Sequence, residues 1–198
     1  MLINHSRIEQ AMTYGEYSTL LETLIKINQT TGINQSADMI EYAKLNLQRI
    51  HRLDKTTVVD AALQEKVRGI SGKYIWLVLT EGWCGDASQI LPVVNKIAEL
   101  NPNIQLLFLL RDENLDIMDN YLTKGGRSIP KVIILEAETL TEITNWGPRP
   151  KEAQELFWQL KEAKTPYDDI KLQVHTWYAK NKTKAIQDEF AEIVELLK

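Results

Sequence analysis

The stretch TEGWCGDASQILP, residues 80–92, contains the single cysteine of this 198-residue chain. It follows a continuous β-favouring run, Tyr74–Leu79, and it opens a helical pattern that extends from Cys84 to Leu100. Cys84 is therefore predicted to lie where a buried strand becomes a helix. The unpaired amides and the positive dipole end of a helix start favour a thiolate over a thiol. This placement makes Cys84 a candidate nucleophile, and an inert buried thiol is the alternative.

The residues beside Cys84 have separate expected roles. Gly85 leaves the backbone free to approach a partner sulfur, and Trp83 is expected to pack over the turn and shield the thiol. Asp86 acts in two directions. Its carboxylate suits the first turn of a helix, but a negative charge near the sulfur raises the thiol pKa. The sequence leaves open which effect is larger.

The first seventy residues of the chain are predicted to be helical. Thr13 and Glu16 have the spacing of a capping box, which satisfies free amides at a helix start. Ser36 is a candidate cap for a second helix whose apolar residues recur every three or four positions. Thr57 is a candidate cap for a third, short helix that ends near Arg68.

The residues after Leu100 alternate between strand and helix patterns. The predicted elements are a buried strand at Ile104–Leu110, a short helix at Leu115–Leu122, a hairpin of Val132–Leu135 with Leu140–Thr144, and a helix at Lys151–Ala163. With the first strand and helix, the order is β-α-β-α-β-β-α. Two strands joined through a helix are expected to be parallel, and the hairpin is antiparallel.

The predicted fold class is therefore α/β, with a mixed sheet and helical extensions at both ends. The expected divisions are a helical N-terminal extension over 1–72, a core over 73–164, and a C-terminal helical extension over 165–198. Ile170, Val174 and Tyr178 lie at helical spacing in the last segment. Trp177 and Tyr178 are expected to contact the core.

Four short features together resemble the thioredoxin superfamily. Trp83-Cys84-Gly85-Asp86-Ala87 is similar to that family's W-C-G-x-C turn, and Pro92 matches the proline of its active-site helix. Arg127-Ser128-Ile129-Pro130 is similar to its Ile-Pro segment, and Gly147 stands near its groove glycine. The resemblance covers about half of the chain. The W-C-G-D variant with a helical N-terminal extension is similar to a bacterial group of thioredoxin-like proteins.

The resemblance implies a thioredoxin-like mixed sheet and a substrate groove beside Cys84. It implies a cis peptide bond before Pro130, and it implies that the backbone of Ile129 holds a substrate chain like an added strand. Two departures stand out. Ala87 replaces the second, resolving cysteine, and Val78 stands where the family carries a buried acid. An ordinary dithiol reductase is therefore not expected.

The expected function is thiol–disulfide exchange through Cys84 alone, with an external thiol resolving the mixed disulfide. The substrates would be proteins or low-molecular-weight thiols and disulfides. Two alternatives stay open. One is a redox-inactive binding or chaperone-like module. The other borrows from monothiol glutaredoxins, which share an iron–sulfur cluster through glutathione, although Cys84-Gly85-Asp86-Ala87 lacks their serine.

Four side chains further along the chain have expected roles in or near the site. Arg111 and Arg127 are candidates for binding a substrate carboxylate, against an alternative as solvated surface residues. Trp146 and Arg149 are expected to be packing and surface residues, respectively.

Composition and charge exclude several other functions. The net charge of −4 and the scattered basic residues give no expectation of nucleic-acid binding. The longest apolar run is too short to span a membrane, and MLINHSRIEQ lacks the pattern of an export signal. One cysteine fits a reducing compartment, so the cytoplasm is expected. His5, His51 and His175 lie far from Cys84 in sequence, and neither a metal nor a cofactor is expected.

Overall fold

The computed structural model describes residues 3–197. Before the Cys84 turn the elements are α1 (His5–Glu9), β1 (Met12–Thr13), α2 (Tyr14–Lys26), α3 (Ala37–Thr56), α4 (Ala61–Arg68) and β2 (Tyr74–Thr80). After it they are α5 (Gly85–Ala98), β3 (Ile104–Leu110), a 3-10 turn (Arg111–Glu113), α6 (Leu115–Met118), β4 (Lys131–Glu136), β5 (Glu142–Trp146), α7 (Lys151–Glu162), α8 (Tyr167–Asn181) and α9 (Lys184–Val194). No helix within the described range is long and apolar enough to cross a membrane.

The strands form one mixed sheet in the order β1-β3-β2-β4-β5. β2 and β3 are parallel and pair from Tyr74 with Ile104 to Thr80 with Leu110. β4 is antiparallel to both β2 and β5. This arrangement confirms the predicted α/β class, the parallel pair and the antiparallel hairpin. It brings the carboxyl end of β2, where Cys84 follows, beside the start of β4, which Pro130 precedes.

Helices from both extensions pack against the sheet. Phe108 on β3 stacks against Tyr17 of α2 at a ring-centroid distance of 5.2 Å. Trp76 on β2 contacts Phe190 of α9 at 5.3 Å. Trp76 and Val78 lie two residues apart on β2, and Val78 pairs with Phe108, so these contacts are on one face of the sheet. The residues from both ends thus join the core's packing. The boundaries at 72 and 164 remain predictions, and residues 1–2 and 198 of the predicted divisions lie outside the described range.

Several predicted boundaries need correction. Thr57 does not start a helix: it ends α3, and α4 begins only after Asp60. The fifth strand starts at Glu142 rather than Leu140, because Leu140 adopts φ +57° in the turn of the hairpin. The short helix stops at Met118. β1 was not predicted, since two residues are too short to show a periodic pattern.

Helix starts on the N-terminal side show which predicted caps form. At Thr13 the capping box is complete: Glu16 N–H donates to Thr13 Oγ1 at 3.3 Å, and Thr13 N–H donates to Glu16 Oε2 at 2.8 Å. Ser36 occupies the N-cap position of α3, but its side chain makes no capping hydrogen bond. Both predicted helix starts are therefore confirmed, but the predicted capping by the Ser36 hydroxyl is wrong.

Candidate functional site

Cys84 is the N-cap residue of α5, directly after the loop that follows β2. Its Sγ accepts a hydrogen bond from Ala87 N–H at 3.4 Å, as a helix N-cap side chain does. Its S–H donates to the Ile129 carbonyl oxygen at 3.3 Å. Because the sulfur acts as a donor in this second bond, the geometry is that of a protonated thiol. Cys84 is 7% exposed.

The surroundings raise the pKa of the Cys84 thiol to about 12. Burial is the largest cause and the negative charge of Asp86 is the second, while the Ala87 amide and Arg149 act in the opposite direction. Here the free-energy cost of removing a thiolate from water is larger than the stabilisation that the helix start provides. The structure thus answers the question that the sequence left open: at Cys84 the raising effects are larger.

Asp86 forms a buried ion pair with Arg149. Arg149 Nη2 lies 2.6 Å from Asp86 Oδ2, and its Nε donates to Oδ1 at 2.9 Å. Tyr178 O–H also donates to Oδ1, at 3.0 Å. Burial raises the pKa of the Asp86 carboxyl, against the opposing effects of Arg149 and Tyr178. The expectation of a surface Arg149 was wrong, because its guanidinium packs over the ring of Phe157 at 4.1 Å and bonds this buried carboxylate.

Ile129 and Pro130 lie beside the Cys84 turn, and the peptide bond between them is cis. This agrees with the conformation implied by the family resemblance. Gly147 lies against the same segment with φ +110°, and a Cβ there would contact the carbonyl oxygen of Pro130. The Gly147–Pro148 peptide bond is also cis, which the sequence did not predict. The close approach places the end of the hairpin directly behind the Ile129-Pro130 segment.

Replacing Gly147 with alanine is expected to destabilise the protein by at least about 2 kcal/mol, through strain at positive φ and overlap with the Pro130 carbonyl. The matched control is Gly125→Ala. Gly125 has φ +78°, but no atom lies within 4 Å of its added Cβ. Urea unfolding of both variants measures the difference. Equal losses would show that close approach to Pro130 contributes nothing.

A cavity of about 440 Å³ opens onto Cys84. The turn and the segment before β4 form one side of it, and α3, α7 and α8 contribute the remainder. Its lining residues are Asp38, Met39, Tyr42, Trp83, Cys84, Gly85, Asp86, Arg111, Arg127, Ser128, Ile129, Arg149, Phe157, Tyr167, Ile170, Lys171, Val174 and His175. The candidate residues from the sequence thus converge here, except Pro130, which is not among the lining residues.

Arg111 and Arg127 both reach the cavity, and each already has a carboxylate partner. Arg111 lies over the ring of Trp83 at 4.7 Å and bonds Asp112 Oδ1 at 2.6 Å. Arg127 lies 2.6 Å from Asp119 Oδ1. Arg111 Nη1 also donates to the Arg127 backbone carbonyl at 3.1 Å, which links the two segments. Binding a substrate carboxylate here would require exchange of an existing ion-pair partner.

His175 joins the site although it is remote from Cys84 in sequence. On α8, its Nε2 is 2.9 Å from Tyr42 Oη, and its Nδ1 is 3.2 Å from Gln89 Nε2. A Cβ at Gly85 would lie 2.8 Å from His175 Nε2, so the small glycine is needed for this close approach. Sequence analysis missed these contacts. The only signal was the helical spacing of the apolar residues of α8, which indicated that this helix packs on the core.

The two departures from the family pattern lie near the site. Ala87 provides an amide to Cys84 but has no thiol, and Val78 is fully buried with no acidic group. A different acid, Glu81, is fully buried at the end of β2. Its Oε1 accepts the Asp112 amide at 2.9 Å, and burial raises the pKa of its carboxyl. The described residues contain no cluster of three or more His, Cys, Asp or Glu arranged to hold a metal.

A mixed sheet with a cysteine at a strand-to-helix turn, opposed by a cis-proline segment, defines a thioredoxin-fold protein. The family model described as thioredoxin matches residues 32–165, which is more than half of the chain. The chain therefore belongs to the thioredoxin family. A search of curated proteins gives no significant match.

Two solved structures resemble the chain. A crystal structure of an HIV epitope scaffold has a TM-score of 0.56 and 19% identity, and the alignment covers 93% of this chain and 97% of the scaffold. At this identity the likeness shows the fold alone. A protein of unknown function from Pseudomonas aeruginosa has a TM-score of 0.49 and 20% identity, with 85% of this chain and 96% of that chain covered.

Proposed function

We propose that this protein carries out thiol–disulfide exchange through Cys84 alone, as a single-cysteine W-C-G-D variant of a bacterial thioredoxin-like group. The observation that supports this most directly is the position of Sγ. It caps α5, contacts the Ile129 carbonyl beside cis-Pro130, and lines a cavity large enough for a small disulfide. Ala87 supplies no internal thiol, so the second step needs an external one. A reducing cytoplasm would supply that thiol.

The exchange has two balanced steps. In the first, the sulfur of Cys84 attacks one sulfur of a substrate disulfide, a Cys84–substrate disulfide forms, and the substrate's own S–S bond breaks. The proton of Cys84 ends on the departing thiol. In the second, an external thiol attacks the substrate sulfur of the mixed disulfide, which restores the Cys84 thiol and releases the substrate half joined to the external thiol as a new disulfide. The Ile129 backbone and the cavity would hold the substrate in line with Sγ.

The raised pKa of Cys84 favours a second candidate function. A thiol held protonated at neutral pH, with no resolving cysteine, suits a redox-inactive thioredoxin-fold module that binds a partner through the same groove. In that case Cys84 would be a packing residue under the cavity. The two candidates differ in whether a disulfide forms at the native site.

Incubation of the native protein with glutathione disulfide at pH 8 is expected to attach one glutathionyl group to Cys84, and excess reduced thiol is expected to remove it. Intact-mass measurement follows both steps. Cys84→Ser is the control and is expected to gain no mass. Modification that occurs only after unfolding in urea would contradict exchange and favour the binding module.

A further inference from the structure

A second cavity, of about 520 Å³, lies elsewhere on the protein and shares no lining residue with the cavity at Cys84. Its apolar lining residues include Ile117 of α6, Leu135 of β4 and Leu140 of the hairpin turn. Its polar lining includes Lys131 and Asn145. The cavity thus combines an apolar wall with a lysine from the first position of β4.

Lys131 is an unusual residue for this position, because it is only 6% exposed. Its Nζ donates to the Gly147 carbonyl at 3.1 Å and to Asn145 Oδ1 at 3.3 Å. Both acceptors are neutral. Among residues 3–197, no carboxylate forms a salt bridge with it. A buried ammonium group that lacks a charged partner is costly, since it has lost its water without gaining an anion.

The acid that lines the same cavity, Glu142, is already engaged. Tyr121 O–H donates to its Oε2 at 2.6 Å, and Asn145 Nδ2 donates to its Oε1 at 2.9 Å. Burial lowers the pKa of Lys131, while the charge of Glu142 opposes that shift. Asn145 therefore bridges the two charged groups, bonding Glu142 through its amide nitrogen and Lys131 through its oxygen. The third N–H of Lys131 has no acceptor in these bonds.

We infer that this cavity binds a small monocarboxylate with an apolar body. Its carboxylate would pair with the Lys131 ammonium, and its hydrocarbon part would lie against Leu135 and Leu140. A hydrogen bond from the buried Lys131 ammonium to a carboxylate is stronger than one to a neutral acceptor, which gives the site a preference for the anion. This binding site is separate from the exchange reaction proposed at Cys84 and does not depend on it.

Titration of the full-length protein with hexanoate, followed by carbon-13 methyl NMR, tests the inference. Saturable shifts are expected at the methyl groups of Leu135, Leu140 and Ile117. Hexanamide has the same apolar body without the charge, and it is expected to bind at least about tenfold more weakly. Equal binding of the two compounds, or no saturable shift with hexanoate, would overturn the inference.

Two variants separate charge from shape. Lys131→Met keeps an unbranched side chain, one atom shorter, and removes the charge. It is expected to lose the preference for hexanoate while remaining folded, because replacing a buried ion by an apolar group is often neutral or stabilising. Leu122→Trp, at a cavity-lining residue that is 44% exposed, is expected to block both probes. Lys96→Met on α5 is the control and should bind like wild type. Unchanged hexanoate binding in either Lys131→Met or Leu122→Trp would refute the site.

Discussion

Replacing Asp86 with asparagine is expected to make Cys84 react with iodoacetamide at least about ten times faster at pH 8. Asp86 is the nearest negative charge among the causes that raise the thiol pKa, and Arg149 is the nearby cation that lowers it. Asp86→Asn removes the first and releases the second from its ion pair. Each unit by which the thiol pKa falls gives about a tenfold larger thiolate fraction well below that pKa.

A set of matched variants isolates the effect of charge. Asp86→Asn with Arg149→Gln removes both charges, so its rate should lie between those of wild type and the single variant. Asp119→Asn removes an exposed carboxylate that pairs with Arg127 and should leave the rate unchanged. Thermal unfolding checks that each variant is folded at the assay temperature. If the single variant reacted no faster than wild type, burial alone would control the thiol.

The same contacts connect helix α8, in the C-terminal extension, to the thiol. Tyr178 on α8 donates to Asp86, and Asp86 acts electrostatically on Cys84. The orientation of the carboxylate therefore depends on a residue more than ninety positions further along the chain. Under the proposed exchange function, this places a contact from the C-terminal extension, through Asp86, beside the reactive thiol.

Local patterns were sufficient to predict the central fold. The run at Tyr74–Leu79 and the helix after Cys84 each have a hydrophobic pattern that a short window detects, and β3 was predicted with its observed bounds. The strand-to-helix turn followed from where these two patterns meet. The parallel pair and the antiparallel hairpin followed from element order, whereas the pairing of β2 with β4 and the two-residue strand β1 did not.

The electrostatic partners in the site could not be predicted in the same way. Arg149, His175 and Tyr178 reach Asp86 or its turn only through tertiary packing. No short-range sequence pattern shows which of these polar side-chain groups will form a hydrogen bond with which partner. The burial of Tyr178 was predictable from its helical spacing, but the partner of its hydroxyl was not. Lys131 was also missed as a site residue, since the sequence does not show that its side chain is buried and lines a cavity.

Lowering the pH from 7 to 4 is expected to reduce the unfolding free energy of the wild-type protein by about 3 kcal/mol more than that of His175→Gln. In the folded protein the pKa of His175 is lowered from 6.5 to about 4, first by burial and then by the positive charges of Arg49, Arg149 and Lys171. As the pH falls below about 6.5, the unfolded chain binds the proton first, so stability present above that pH is lost. The loss grows until about pH 4 and then levels off.

Urea unfolding at several pH values between 7 and 4 measures this difference. Glutamine at position 175 keeps a neutral hydrogen-bonding side chain toward Tyr42 and Gln89 but cannot take up a proton in this range. His51→Gln is the control, because His51 is an exposed residue beside Glu22, away from the Cys84 site. Only the position-175 variant is expected to flatten the pH profile of the unfolding free energy. Parallel profiles for wild type and His175→Gln would mean that His175 accepts a proton without loss of its contacts, and α8 would then stay on the Cys84 turn at acidic pH.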